Sequence, residues 1–481
     1  MSKMMDEENN CQNADIIPGA LQDDVIDTNC SIDLRARSNP FGDPFKHREL
    51  NDDLVDIIDT IYRQKELSFN DAYLDFKKAA AYFVDGGIGP EHIFPVTGKG
   101  LIEITAGSFL EKGDEVIVTT SASFDYVILL QEKGIKVNYL DTCSPGDIPD
   151  LSLNKAEMVI ISNPHFLSGA LLPACEIAFL AKRCKDNGTL LFVDETLIEL
   201  SDPYQSVASI VRENDHIIIQ RSISDSFALS DTQMTFAVAS ANLIRKLKPY
   251  DKENNKELLP LVLGAFLMKN GCNSKYLISS RKFIQQNRAY VVDMFSKHGY
   301  IPEKSDSSHI LVNLKLLMGL KELTQRLESH GVMLMDCSSF YLPGEDYVRV
   351  AVTTKDNIDR LEEIFGIVME EWAKDYAKEK LRDALDRGSL SGSNIECRYY
   401  PCHFPGQDCT FCYCPFNPCK DERTGGEWIT GSRGKKGWSC MNCYLIHRPE
   451  IAQAVLEILL QHDDPEDSLG KAWKTVIEPF I

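Results

Sequence analysis

The sequence predicts an α/β protein: a large, mostly parallel α/β/α sheet, then a small α/β domain, then a small metal-stabilised cysteine-rich module. Three observations carry this expectation. From Ile93 onward, short apolar runs alternate with helical segments, the pattern of a parallel sheet covered on both faces. A second, shorter set of strands and helices runs from His309 to about Glu371. Eight of the fifteen cysteines fall between Cys397 and Cys443.

Taken in order, residues 1–30 are acidic and polar and are expected to be a disordered lead-in. Ser31–Gly42 reads as a short extended segment ending in an Asn-Pro turn. Leu50–Lys65 carries Leu54, Ile57, Ile58 and Ile61 at amphipathic-helix spacing, and Asn70–Asp85 is a second helix. Strands are expected at Ile93–Val96, Glu115–Thr119, Lys136–Leu140, Met158–Ile161, Thr189–Val193 and Ile217–Ile219, with a further strand ending at Ser240. The helix Pro173–Asn187 is typical of the segments between them. Leu258–Lys297 is mostly helical. His309–Leu314, Gly331–Met335 and Tyr347–Val352 are the strands of the smaller domain. These patterns divide the chain into a domain at 31–370, a helical linker at 371–394, the cysteine-rich module at 395–448 and a C-terminal helix and tail at 449–481. Within the first, the large part spans about 46–250 and the small part 31–45 plus about 255–370.

The totals narrow the function. Net charge is −21, the wrong sign for a surface that neutralises nucleic-acid phosphates or anionic membranes. No apolar run approaches bilayer length, and the start lacks the basic and apolar regions of a signal peptide. A soluble cytoplasmic protein without nucleic-acid or membrane partners is expected.

The carboxyl ends of the strands gather the chemistry, as ligand sites do in such sheets. Gly98-Lys99-Gly100 follows the first strand. Asn163-Pro164 with Gly169, Asp194-Glu195, and Ser222-Ile223-Ser224-Asp225 follow later ones. Asp336-Cys337-Ser338-Ser339-Phe340 precedes Arg349-Val350-Ala351-Val352. With Ser38-Asn39-Pro40-Phe41-Gly42 near the start, this order resembles fold-type I pyridoxal-phosphate (PLP) enzymes. More narrowly, it is similar to threonine-phosphate decarboxylase of cobamide biosynthesis, a relative of histidinol-phosphate aminotransferase. The resemblance covers roughly residues 31–370. It implies a fold-type I PLP-transferase-like domain, a homodimer, and a pocket for PLP and a phosphorylated amino-acid-like substrate. It assigns Gly98, Lys99, Gly100, Asn163, Asp194, Ser222 and Ser224 to the cofactor and Arg349 to the substrate carboxylate.

Several positions depart from that pattern. The Schiff-base lysine position holds Asp225, which cannot form an imine. Phe166 stands where an asparagine should meet the ring oxygen, and the stacking aromatic falls near Ser123, with Phe124 one residue away. Gln233, Met335 and Thr353 replace arginines, and Arg37 and His309 replace asparagines. The expectation is a retained scaffold that no longer holds PLP covalently: a non-covalent ligand-binding protein, or one that binds a cobamide-pathway protein. The alternatives are an active PLP-dependent decarboxylase or aminotransferase-type enzyme by an unusual route, and a metal or redox module on a dimeric platform. Structural readings compete at each position: Asp194 capping a turn, Arg349 in an ion pair, Gly98–Gly100 as a tight turn, Cys337 as a core thiol.

The last module holds Cys397, Cys402, His403, Cys409, Cys412, Cys414, Cys419, Cys440, Cys443 and His447. Two C-x-x-C knuckles with isolated Cys and His supply enough ligands for two four-coordinate sites. Zinc is expected, with an iron–sulfur cluster as the competing reading. Pro401–Phe416 resembles the signature of the cysteine-rich small domain found attached to cobamide-biosynthesis proteins. Gly431–Gly437 is a basic loop within it.

Overall fold

The computed structural model describes residues 31–46, 68–97, 100–140, 144–229, 232–250, 258–314, 318–337, 346–397, 399–430, 436–440, 442–461 and 465–481. The expected lead-in at 1–30, the helix at 50–65, most of the DCSSF segment and most of the basic loop lie outside the described residues.

Strand β1 is Ile32–Asp33. It is followed by β2 (Ile93–Thr97), β3 (Glu115–Thr119), β4 (Lys136–Leu140) and β5 (Met158–Ser162). Then come β6 (Leu190–Asp194), β7 (Ile217–Ser222) and β8 (Met234–Ala239). Strands β2 to β8 form one sheet in the order β2-β8-β7-β6-β5-β3-β4. Only β8 runs against its neighbours. The strands β5, β6 and β7 are buried at every position, which is why they read as unbroken apolar runs. Alternate residues feed two cores. Val159, Ile161, Leu191, Val193, Ile217 and Ile219 face one layer of helices. Met158, Ile160, Leu190, Phe192 and Ile218 face the other.

The smaller domain has β9 (Ile301–Pro302), β10 (His309–Asn313), β11 (Val332–Met333), β12 (Met335–Asp336) and β13 (Tyr347–Ala351). Four of these form an antiparallel sheet, β12-β13-β10-β9. The strand expected at Gly331–Met335 is split: β11 pairs in parallel with β1, and β12 pairs with β13. One strand thus serves two partners, with the break at Leu334. The back of the sheet, Ile310, Val312, Val348 and Val350, is packed in the core of this domain. The front carries Leu311 and Cys337 against Phe166 and Leu167 of the large domain.

Lys355–Arg387 is one helix of 33 residues, without the break expected near Glu371. Its apolar positions continue at helical spacing through Trp372, Ala377, Leu381 and Ala384, so nothing in its buried face ends it. Gly388 in the left-handed region closes it. The first half packs in the small domain, and Leu381 and Ala384 pack with Phe411, Ile446 and the helix Pro449–Leu459. Tyr413 meets Trp372 and Tyr376 edge-on. The cysteine-rich module is therefore docked on the helix rather than tethered by a loose linker. Among the described residues no helix is long and apolar enough to cross a membrane.

Beneath the sheet edge, Arg221 is fully buried with Glu195 and Glu199. It bonds Glu195 at 3.2 Å and Glu199 Oε1 from Nε at 2.8 Å. Ser206 and the Val207 amide complete the coordination of Glu195. Removing the cation leaves two buried carboxylates facing each other. Arg221→Ala should cost about 3–5 kcal/mol of unfolding free energy, read by denaturant titration, whereas a cost below about 1 kcal/mol would contradict this role.

Candidate functional site

Asp194 ends β6 at the carboxyl edge of the sheet and is 4 % exposed. Both of its oxygens have protein partners. Tyr126 donates its hydroxyl to Oδ2 at 2.7 Å. The Thr196 amide donates to Oδ1 at 3.0 Å, and the Thr196 hydroxyl donates to the same oxygen. Gln220 Nε2 lies 3.2 Å from the Tyr126 hydroxyl and 3.4 Å from Oδ1. The turn-capping reading of Asp194 thus describes its contact with Thr196. Burial, and then the Asp194 charge, push the Tyr126 phenol well above its usual range, so it stays a donor. Tyr126, Thr196 and Gln220 lie outside the set of residues expected in this site. Tyr126 stands in the first turn of helix Phe124–Glu132, directly after β3, and that placement is the available signal.

The Ser222 turn closes on itself in the same way. Ser222 caps the single helical turn Ile223–Ser226, accepting from the Asp225 amide at 3.1 Å. Its hydroxyl donates to Asp225 Oδ2 at 2.7 Å. Asp225 is therefore folded back on the turn as a reciprocal cap. The Ser224 hydroxyl accepts from the Met234 amide at 2.6 Å and meets Thr232 at 3.1 Å. Asn163 bonds both backbone groups of Leu172 and shapes its own loop. Gly100 caps the helix Leu101–Phe109, while Gly98 and Lys99 lie outside the described residues. Ser123 caps its helix, and Phe124 packs against the core. Asn39 ties the N-terminal segment to this edge, donating to the Ser226 carbonyl at 2.8 Å while its amide bonds the Asp225 carbonyl.

Around Phe166 the environment is cationic. The Arg37 guanidinium lies 4.0 Å from the ring centre and that of Arg349 lies 5.3 Å from it. Arg349 sits on the front of the small sheet, opposite Leu311 on β10 and Met335 on β12. Among the described residues its guanidinium makes one hydrogen bond, from Nη2 to the Arg35 carbonyl at 2.7 Å. It forms no ion pair among the described residues. Burial, and then the Arg37 charge, push its guanidinium down to about 9. His309 is fully buried beside them, and burial followed by the two arginines holds it well below the usual imidazole range. His165 accepts the Leu167 and Ser168 amides on Nδ1, both at 3.1 Å, and burial pushes it down to about 4. Cys337 is a core thiol pushed up to about 12 by burial.

In the cysteine-rich module, the thiols gather in two neighbourhoods. Gln407 Nε2 donates to Cys402 at 3.0 Å and to Cys409 at 3.7 Å. Cys412 is pushed up to about 11, first by burial and then by Cys409, Cys402 and Cys397. Cys414 is raised first by burial, with further contributions from Cys443, Cys440 and Cys419. The Cys443 amide bonds the Cys440 carbonyl, closing one knuckle, and Cys419 meets Thr424 at 3.7 Å. His403 and His447 stack at 4.5 Å, and His447 Nδ1 contacts the Asp408 carbonyl at 3.0 Å. Among the described residues, no three His, Cys, Asp or Glu side chains converge as a metal site.

His165 gives a pH dependence with a definite sign. Its folded pKa is depressed, so the proton prefers the opened loop. Its contribution is fully present above about pH 6.5 and is lost as pH falls toward 4. Hydrogen-exchange protection of the Leu167 and Ser168 amides should fall across that window. Constant protection from pH 7 to pH 4 would contradict this.

Comparison with known proteins agrees with this architecture. Residues 389–465 match a family model described as "Cysteine-rich small domain". An uncharacterized protein of Methanocaldococcus jannaschii is 43 % identical over 93 residues, covering 19 % of this chain and 75 % of that protein. A protein of Methanothermobacter thermautotrophicus named probable cobalt-factor III C(17)-methyltransferase is 37 % identical over 129 residues. That match covers 27 % of this chain and only 34 % of its own. A histidinol-phosphate aminotransferase of Methanosarcina mazei is 24 % identical over 273 residues, 56 % of this chain and 71 % of that protein. Two solved structures have the same fold. The histidinol-phosphate aminotransferase of Clostridium acetobutylicum has a TM-score of 0.59 at 18 % identity, covering 70 % of this chain and 99 % of that one. The L-threonine-O-3-phosphate decarboxylase of Porphyromonas gingivalis has a TM-score of 0.59 at 14 % identity, with the same coverage. Residues 65–365, more than half the chain, match the family model described as "Aminotransferase class I and II", and the protein belongs to that family.

Proposed function

We propose that this protein is a threonine-phosphate decarboxylase-like pseudoenzyme of cobamide biosynthesis. It keeps the fold-type I scaffold but binds a phosphorylated amino-acid-like ligand, or a pathway protein, without a PLP Schiff base. The observation that carries the reading is the state of Asp225 and Asp194. At the position expected to hold lysine, Asp225 is engaged with Ser222, and both Asp194 oxygens are held by Tyr126, Thr196 and Gln220. A pyridine ring seated on Asp194 would have to share Oδ2 with the Tyr126 hydroxyl. The residues present do not fit PLP, and no step of the function runs through it. The cobalt-factor methyltransferase relative and the decarboxylase fold support the pathway assignment. A cytoplasmic homodimer belongs to the same reading.

A second reading, in which the cysteine-rich module is the working part, is favoured by the two thiol neighbourhoods. In it the large domain is a platform, and the thiolates hold zinc or an iron–sulfur cluster once they are drawn together. Structural zinc would supply about 10–16 kcal/mol per site to a segment with little apolar core of its own.

One preparation of the full chain tests both readings. With added PLP, its absorbance should equal the sum of the separate spectra, and metal analysis should find zinc without acid-labile sulfide. An internal-aldimine band with decarboxylation of threonine phosphate would overturn the first reading and restore the active-enzyme alternative. Iron with acid-labile sulfide would move the function to the module.

A further inference from the structure

The eight thiols of the cysteine-rich module fall into two groups, and the chain is built differently around each. In the first, Gln407 joins two thiols: its Nε2 donates to Cys402 at 3.0 Å and to Cys409 at 3.7 Å. Asn394 brings in a third. Its amide donates to Cys409 at 3.4 Å, and its carbonyl accepts the Cys397 amide at 3.2 Å. Cys412 completes the knuckle begun by Cys409, and Cys409, Cys402 and Cys397 are the thiols whose charges reach it. All four lie in one short stretch, and Cys402 is the exposed thiol of the eight. In the second group, Cys440 directly follows a hairpin of two strands, β14 (Glu427–Thr430) and β15 (Lys436–Ser439). The Cys443 amide bonds the Cys440 carbonyl at 3.0 Å. The turn after Cys419 is pressed against this knuckle. A Cβ on Gly425 would lie 2.8 Å from the Asn442 carbonyl oxygen and 3.6 Å from Cys443 Cα, and Gly425 has a φ of +92°. Cys414 packs against the core of the C-terminal helices. Amide N–H groups aimed at sulfur favour the thiolate, the form that binds metal. His403 and His447 instead stack on each other, and His447 Nδ1 is taken by the Asp408 carbonyl.

We propose that the module holds two four-thiolate zinc sites of different kinds, with His403 and His447 outside both: an exchangeable site of Cys397, Cys402, Cys409 and Cys412, and a closed structural site of Cys414, Cys419, Cys440 and Cys443. This rests on the second reading above and gives each site its ligands and its role. Eight thiolates fill two tetrahedral sites, so neither needs an imidazole. Within each group the thiols are neighbours that do not yet converge, and binding draws them onto one ion. Closing the second group cross-links the Cys414–Cys419 segment to the far end of the hairpin, so its binding free energy is also folding free energy. Closing the first gathers a stretch that Gln407 and Asn394 already hold together, so emptying it leaves the rest of the unit in place. Zinc leaves a thiolate site by ligand exchange, which starts where an incoming ligand can reach the metal beside an exposed sulfur. Cys402 is that sulfur. The first site is thus suited to take up zinc and pass it on as cargo. Tyr376 hydrogen-bonds Cys412, which sets this site against the long helix that continues from the small domain.

The test loads the full chain with Zn²⁺ under reducing conditions and counts bound zinc by native mass spectrometry, before and during competition with EDTA. About two zinc ions per chain should bind, one leaving at least about tenfold faster than the other. Cys402→Ser should abolish the fast ion and keep the slow one, and Cys440→Ser should abolish the slow one. If Cys440→Ser does not fold, Gly425→Ala still decides, since it removes no ligand. It should speed loss of the slow ion at least about tenfold and leave the fast ion unchanged. His403→Ala and His447→Gln should each retain both ions. Equal exchange rates, loss of the slow ion from Cys402→Ser, or loss of zinc from either histidine variant would overturn the proposal and leave the module reading standing. Iron with acid-labile sulfide would do the same. A chain that binds no metal would remove the module reading itself.

Discussion

Ser162, Asp194 and Gln220 are successive partners across the parallel strands β5, β6 and β7. Their polar side chains must therefore end side by side at the carboxyl edge of the sheet. Parallel strands buried on both faces leave that edge as the place where such groups meet solvent or a ligand. Here the edge is closed from within. Asp194, Gln220, Thr196 and Tyr126 form a network in which each hydrogen bond supports the next, and the one carboxylate has all its partners from the chain. The adjacent turn is closed similarly by Ser222 and Asp225. A buried carboxylate satisfied by neutral donors needs no cation from a cofactor.

The molecule contrasts two buried arginines. Arg221 is matched by carboxylates and hydroxyls and locks the segment after β6 to β7. Arg349 is on the small sheet, faces the large domain, and is matched on one nitrogen only among the described residues. The N-terminal segment matters to both. Its backbone carbonyls at Arg35 and Arg37 receive Arg349 and Ser308, and Asn39 anchors it beside Asp225. It thus bonds to both domains.

Much of the fold was legible because its central strands are buried on both faces and appear as apolar runs. Met158–Ser162 and Ile217–Ser222 needed little else. The continuous helix Lys355–Arg387 was harder to read, because its second half is charged on the exposed side and apolar at only a few positions. The split of the strand near Leu334 depends on two partners far apart in sequence, β1 and β13. For the site, Asp194, Ser222, Asp225 and Arg349 were legible from local motifs. Tyr126 was not, since it reaches Asp194 across 68 positions through the packing of a helix on the sheet. Nor was the placement of Arg349 and Arg37 on one face of Phe166, since that contact is a property of three-dimensional packing. Spacing marked the cysteines but did not assign them to neighbourhoods, which Gln407 and the burial of Cys412 and Cys414 begin to do.

On the reading proposed above, the pocket is closed to PLP by its own side chains and is not merely short of one lysine. The most direct measurement is PLP binding to Asp225→Lys, followed by borohydride reduction and intact mass. No stoichiometric adduct is expected on the introduced lysine, because Tyr126, Thr196 and Gln220 still occupy Asp194. A stoichiometric, reducible adduct on that lysine that survives gel filtration would contradict it, and would show a cofactor pocket lacking only its nucleophile.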